Sequence, residues 1–391
     1  MNHMNELARK YYNIFQSQDE VKHYYSPGRV NLIGEHIDYN GGLVFPAAIS
    51  IGTHGIVGKR NDRMIHLFSA NYPLEGVFKI SLSDLSFQKE HGWANYAKGI
   101  LDELIERGYQ IPFGFNLYVE GDLPTASGLS SSASLEVLIS FIANDLYQLG
   151  LTRVEMALLA QGVENDYMGM HCGLMDQLII ACGIKDHALL MNTATLEMTP
   201  SRAKFDGYEI VIMNTNYKRK TTDSKYNERV CECSTALKQI QNHFQIDYLC
   251  DLNPKQLMKI ETIVKDKTLF NRVKHVVTEQ DRVITAMIAM KNGDAKWFGS
   301  LLNASHESLK NDYEVTGLHL DLLVEKALKY GAIGARVTGA GFGGCAVALV
   351  EIGLIKQLID QVGKEYLELT GITPDFYQVT FEEGVHIIDN A

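Results

Sequence analysis

The chain has 391 residues, more than one ordinary core accommodates, so two domains are expected. Hydrophobic residues make up 46% and charged residues 21%, the balance of a soluble globular protein. A net charge of −11 argues against nucleic acid or an anionic membrane as the main partner, since both need a basic face, but it leaves phosphate ligands open, because backbone N–H groups and a metal ion bind them locally.

From the start of the chain, Met1 to Lys10 is polar and charged, unlike a signal peptide. Residues 5–16 read as a short amphipathic helix. Residues 43–58 and 64–69 are rich in Val, Ile, Phe and Gly and read as strands. Over 92–107, Tyr96, Ile100, Leu101, Leu104 and Ile105 fall on one helical face. A strand is expected at 113–120, then a buried helix at 135–149 and a further helix at 152–168. Strands follow at 187–191 and 209–213. Beyond 225 the pattern is mostly helical, at 225–243, 255–265, 268–291, 294–302 and 306–312. Strands at 332–337 and 346–350, a helix at 353–369 and a strand at 376–381 complete the chain. Mixed strands and helices without regular alternation favour α+β over a doubly wound sheet. A composition shift near 200–215 divides the chain into 1–205 and 206–391.

No apolar run reaches the roughly 18–20 residues that span a bilayer. The six cysteines are few for the length, which fits a reducing cytoplasm. Cys231 and Cys233 have the wrong spacing for a zinc knuckle, and no second pair follows.

Three glycine-bearing segments carry the chemistry. Residues 124–135 run Pro124-Thr125-Ala126-Ser127-Gly128-Leu129-Ser130-Ser131-Ser132 into a helix. A tight Gly/Ser loop entering a helix N-terminus aims several N–H groups at one place, and the helix dipole favours an anion there. A serine-capped helix start reads the same way in isolation. The segment is not a Walker loop, since no Gly-x4-Gly-Lys-Ser/Thr occurs, and the protein-kinase H-R-D and D-F-G sets are missing. Gly339, Gly341 and Gly344 satisfy G-x-G-x-x-G, but the residues that follow, Cys345 to Val350, are β-like. A tight hairpin fits them better than a dinucleotide fingerprint. Between Gly28 and Gly42, Glu35, His36 and Asp38 crowd a short loop with Tyr39 and Asn40. Such a cluster suits either a metal or a sugar, whose hydroxyls need several donors and acceptors.

Taken together and in this order, the three segments resemble those of the GHMP small-molecule kinases. The first, Gly28-Arg29-Val30-Asn31-Leu32-Ile33-Gly34-Glu35-His36-Ile37-Asp38-Tyr39-Asn40-Gly41-Gly42, resembles the galactokinase branch in particular, departing from its pattern at Ile37, where Thr is usual. In the second, many members carry Gly where this chain has Ala126. The resemblance implies two GHMP domains with the active site in the cleft between them. It implies transfer of phosphate from ATP to O1 of α-D-galactose, in a cytoplasmic enzyme whose partners are the small molecules galactose and MgATP, with neither nucleic acid nor membrane; the oligomeric state, a monomer among the options, stays open. Glu35, His36, Ile37, Asp38, Gly173 and Tyr226 would meet the sugar. Ala126, Ser127, Gly128, Leu129, Ser130, Ser131 and Ser132 would hold the nucleotide, with Ser69 either a further contact or an ordinary strand-end serine. Ser132 and Glu164 would hold Mg²⁺, whose preferred ligands are oxygens; Glu164 otherwise reads as part of a solvated helix face.

The resemblance also places Asp176, in Cys172-Gly173-Leu174-Met175-Asp176-Gln177, at the anomeric hydroxyl with Arg29 beside it; a helix or turn cap is the plainer reading of Asp176. A sugar hydroxyl is a poor nucleophile, and a carboxylate can accept its proton as bonding to phosphorus begins. A neighbouring guanidinium favours the ionised carboxylate and offsets charge on the phosphoryl group. Whether Asp176 takes the proton or mainly orients the hydroxyl stays open at this point. So do a kinase for a related sugar such as N-acetylgalactosamine or galacturonate, and a non-catalytic galactose sensor.

Overall fold

A long strand, Val21–Asn31, lies second from one edge of the largest sheet, although its sequence carries no strand pattern. From His23 onward every residue is buried, so no polar–apolar alternation marks it. Pro27 is accommodated because the register with the neighbouring strand Pro46–Lys59 shifts between Pro27 and Gly28. The computed structural model describes residues 3–124, 128–170, 172–217 and 222–388, with backbone alone at 3, 4, 222 and 223.

The six-stranded sheet has the order His386–Ile387, Val21–Asn31, Pro46–Lys59, Phe115–Gly121, Met64–Ser69, Phe78–Ser81. All its pairings are antiparallel except Met64–Ser69 with Phe115–Gly121. The helix Ser131–Tyr147 lies across Val21–Asn31 and Pro46–Lys59 and is flanked by the helices Ala94–Glu106, Arg153–Gly162 and Met175–Cys182. A three-stranded sheet joins Leu43–Val44, His187–Asn192 and Met198–Arg202. The four-stranded antiparallel sheet has the order Ala332–Thr338, Cys345–Glu351, Tyr208–Asn214, Asp375–Gln378, with Ala295–Asn311 and Gly317–Lys329 packed on its edge strand. The architecture is α+β. The four-stranded sheet draws only on residues after 206 and the other two on residues before it, save that His386–Ile387 crosses back to pair with Tyr24 and Tyr25. One main apolar cluster runs from Val30 and Phe45 to Val337 and Val347, so the two halves share a core.

Two helices expected at 294–302 and 306–312 are one, Ala295–Asn311. Between them Ser305 points inward: it is buried and donates to Glu279 Oε1 at 2.7 Å. The helix expected at 152–168 is α-helical to Gly162 and then widens into a π turn, Val163–Tyr167. Such turns are rare and gather at functional sites; this one carries Glu164. The helix Gly317–Lys329 and the short strand Phe78–Ser81 went unpredicted. No helix among the described residues is long and apolar enough to cross a membrane.

Candidate active site

The first and second glycine segments meet at one ion pair. Arg29, near the end of Val21–Asn31, sends Nε to Asp176 Oδ1 at 2.7 Å and Nη2 to Asp176 Oδ2 at 2.8 Å, a two-pronged pairing. Its remaining Nη1 donates to the carbonyl of Gly128, and its backbone N–H to the carbonyl of Leu129 at 3.3 Å. Asp176 stands in the first turn of Met175–Cys182. Ser130 precedes the helix Ser131–Tyr147 in a left-handed conformation (φ 62°), and its hydroxyl leaves the helix end uncapped to donate to Asp176 Oδ2 at 2.5 Å. The N–H groups of that helix's first turn are therefore left facing the loop, ready for an anion. Ala126 and Ser127 lie outside the described residues.

One residue into that helix, Ser132 Oγ donates to Glu164 Oε1 at 2.8 Å, while Gln177 Nε2 donates to Oε2 at 2.7 Å. Glu164 is buried, contrary to a solvated helix face. Burial pushes its carboxyl pKa up, the Ser132 hydrogen bond opposes this and Asp176 adds to it. A cation at these oxygens would reverse the direction. Both donors are the hard oxygens Mg²⁺ prefers. Among the described residues no group of three or more His, Cys, Asp and Glu could hold a metal, so such an ion would complete its shell with phosphate oxygens and water, as Mg²⁺ habitually does. Beside Ser131 and Ser132 opens a cavity of ≈ 250 Å³ walled by Trp93, Tyr96, Ser69, Asn71 and Leu135. Ser69 Oγ also accepts the N–H of Asn71 at 3.2 Å.

In the first segment, Asp38 opens a short 3-10 turn, Asp38–Asn40. Burial, reinforced by Asp176, pushes its carboxyl up to about 7. Gly173 comes so close that a Cβ there would stand 1.7 Å from Asp38 Oδ2. Tyr226 packs its ring 5.6 Å from His36 and 5.5 Å from Tyr39, within the field of Asp38 and Asp176. His36 is neutral: burial lowers its pKa to about 3. Its Nε2 lies 3.1 Å from the Ala340 carbonyl, which only accepts, so Nε2 carries the proton and Nδ1 accepts from Tyr39 at 2.8 Å. Tyr39 then accepts from Tyr313 at 2.8 Å, and Tyr313 from the Cys233 thiol at 3.1 Å. Both ring nitrogens of His36 are thus engaged by protein. Ile37 turns into the apolar core, fully buried, so its side chain lies away from these polar groups.

The third segment is a hairpin: Thr338 pairs with Cys345, and residues 339–344 form the loop between the strands. Gly339 (φ 79°) lies against the second segment; a Cβ there would meet the Gly128 carbonyl at 2.6 Å. Its N–H donates at 2.8 Å to Glu35 Oε1, while Glu35 Oε2 accepts from Asn31 Nδ2 at 3.1 Å and pairs with the buried Arg336. From the long helix Lys267–Lys291, Glu279 Oε1 accepts the Gly34 N–H at 3.0 Å. Burial favours a protonated Glu279, but Arg282, His275 and Arg336 outweigh it and hold its carboxyl down at about 2.

Sequence reasoning missed Trp93, Tyr96, Glu279 and Arg336. Arg336 left a signal: a lone charge inside the apolar strand Ala332–Thr338 demands a buried partner. The aromatic pair left none, since Tyr96 already served as one residue of an apolar helix face.

A galactokinase galactose-binding signature matches residues 9–59, the GHMP kinase N-terminal domain matches 95–184 and the GHMP kinase C-terminal domain matches 286–368. The chain is 46% identical over 383 residues to the galactokinase of Staphylococcus saprophyticus, covering 98% of this chain and 99% of that one. It is 45% identical over 390 residues to that of Clostridium acetobutylicum, covering 100% of both. The solved Lactococcus lactis galactokinase, complexed with galactose, superposes with a TM-score of 0.96 at 44% identity, over 98% of this chain and 100% of that one. A mevalonate kinase from Methanococcus jannaschii, 21% identical with a TM-score of 0.68 over 94% of this chain and 100% of its own, shares the fold. With its three glycine segments meeting around Arg29 and Asp176, and with this identity over its whole length, the chain belongs to the galactokinase family of the GHMP kinases.

Proposed function

We infer that the protein transfers the γ-phosphoryl group of ATP to O1 of α-D-galactose, giving α-D-galactose 1-phosphate and ADP. The observation that carries this reading is the Arg29–Asp176 pair, held between the sugar loop and the serine loop by Gly128 and Ser130. Galactose lies against Asp38, Gly173, Tyr226 and the Glu35 side of the first segment. Its O1–H meets Asp176 Oδ1: Oδ2 already takes donors from Arg29 and Ser130, whereas Oδ1 takes only Arg29 and keeps a lone pair open. Asp176 aligns the hydroxyl and receives its proton as the O1–phosphorus bond forms and the bond to ADP breaks. Arg29 and the N–H groups opening Ser131–Tyr147 face the negative charge on the phosphoryl group.

The nucleoside enters the cavity beside Trp93 and Tyr96, where an aromatic wall suits a purine. Ser132 and Glu164 hold Mg²⁺, which neutralises phosphate charge when bound. The six free cysteines accord with a cytoplasmic setting. ADP release with MgATP, measured over galactose, glucose, 2-deoxygalactose, galactosamine, N-acetylgalactosamine and galacturonate, tests the reading. Turnover near the ~10 s⁻¹ of an ordinary enzyme on galactose supports it. Preference for an analogue moves the substrate, and binding of galactose and ATP without turnover indicates a sensor.

A further inference from the structure

Arg336 lies in Ala332–Thr338, outside the three glycine segments' loops, and is fully buried. Its guanidinium faces the first segment: Nη2 pairs with Glu35 Oε2, and Nη1 donates to the Asn31 carbonyl at 3.1 Å. Its Nε has no hydrogen-bond partner among the described residues. A buried charge with an unspent donor is a poor stabiliser; an apolar side chain of similar volume would serve the sheet as well or better. What the pairing does supply is direction. Glu35 would otherwise swing about its side-chain torsions, but Arg336 and Asn31 on Oε2, with Gly339 N–H on Oε1, leave it one orientation. Nearby, Asn31 N–H donates to Thr338 Oγ1 at 3.1 Å, and Thr338 Oγ1 donates back to the Asn31 carbonyl at 3.1 Å. The hairpin strand and the strand bearing Arg29 are thereby pinned two residues from the phosphoryl-facing guanidinium.

We propose that Arg336 is a positioning residue of the sugar site: it fixes the Glu35 carboxylate as the wall against which the galactose hydroxyls are read, and ties that wall to the glycine hairpin. The proposal rests on the galactokinase reading above. Glu35 feels the Arg29 charge, but its carboxylate bonds Asn31, Arg336 and Gly339 and leaves the Arg29–Asp176 pairing to those two residues, so its orientation governs how well the sugar is held more than the transfer itself.

Steady-state kinetics of Arg336→Lys in the full chain test this, with galactose and ATP varied separately. Lysine keeps the charge and loses the fork. The galactose KM is expected to rise about tenfold or more, while kcat and the ATP KM move by less than about threefold, the pattern of a lost uniform-binding contact. An unchanged galactose KM, whatever happens to kcat, overturns the proposal, as does an equal rise in the ATP KM. Should Arg336→Lys not fold, Glu35→Gln combined with Arg336→Met removes both buried charges and is compared with Glu35→Gln alone. No further loss of galactose kcat/KM is expected, because the two residues act as one unit; a further tenfold loss would overturn it. Wild-type enzyme in the same assay separates the two claims. No wild-type turnover of galactose sinks the functional reading, whereas a normal wild type with an unaffected variant sinks this inference alone.

Discussion

The Asp38 carboxylate fills the space that a side chain on residue 173 would need, with Oδ2 only 1.7 Å from the position of a Gly173 Cβ. The backbone of Gly173 is not in the left-handed region, so close approach and not conformational freedom is what calls for glycine. Gly173→Ala must push Asp38 aside. Its galactose KM is expected to rise about tenfold or more with the ATP KM within about threefold, a loss on the sugar side alone. Equal galactose KM values in variant and wild type would show that Asp38 does not touch the sugar.

Asp38 also predicts a pH dependence. Its carboxyl is pushed up to about 7 by burial and by Asp176. Sugar hydroxyls donate to the ionised form, so galactose binding favours loss of the proton. Below pH 7 that proton must first leave, and the galactose KM is expected to rise as pH falls, approaching tenfold per unit. Above pH 7 it levels off. Asp38→Asn should bind galactose more weakly and lose this slope; a wild-type KM flat between pH 6 and 8 would contradict the assignment.

Asp176→Ala should keep the fold, since Asp176 is partly exposed at the cleft, and lose about 10²–10⁴ in kcat, the usual worth of a positioned acid–base group. Near-normal kcat on galactose would remove Asp176 from the chemistry. Arg29→Lys should also be costly, because three separate guanidinium nitrogens are used and a point charge cannot replace them. A kcat/KM loss of about tenfold or more is expected, and one below about threefold would place Arg29 away from the phosphoryl group.

Trp93 walls the cavity with its indole N–H buried and unpaired among the described residues, and its ring is braced edge-on by Phe78 at 6.0 Å. Stacking on a base is worth about 1–3 kcal/mol, so Trp93→Ala should raise the ATP KM by roughly tenfold or more. The galactose KM should hold. Isothermal titration with a non-hydrolysable ATP analogue gives the same comparison without turnover.

Much of the site was legible in the sequence because it lies in short, contiguous segments: Arg29 to Asp38, Gly128 to Ser132, and Gly173 to Asp176. The hairpin at 339–344 was legible from the apolar strands on either side. What stayed hidden depends on contacts between distant parts of the chain. Glu279 reads as one acidic residue in a charged helix until the fold brings it under Gly34. The strand Val21–Asn31 lacks alternation because both of its faces are buried, and Pro27 disguises it further. Ser130, expected among the nucleotide contacts, sends its hydroxyl to Asp176. Ile37, expected at the sugar, faces the core, so its departure from the family pattern concerns packing.

The most direct test is phosphorus NMR of the product formed from galactose and MgATP. The Arg29–Asp176 pair between the sugar loop and the serine loop predicts phosphate on O1 of the α-anomer, with loss of that signal in Asp176→Ala. Phosphate on O6, or the same O1 product formed at an undiminished rate by Asp176→Ala, would contradict the account.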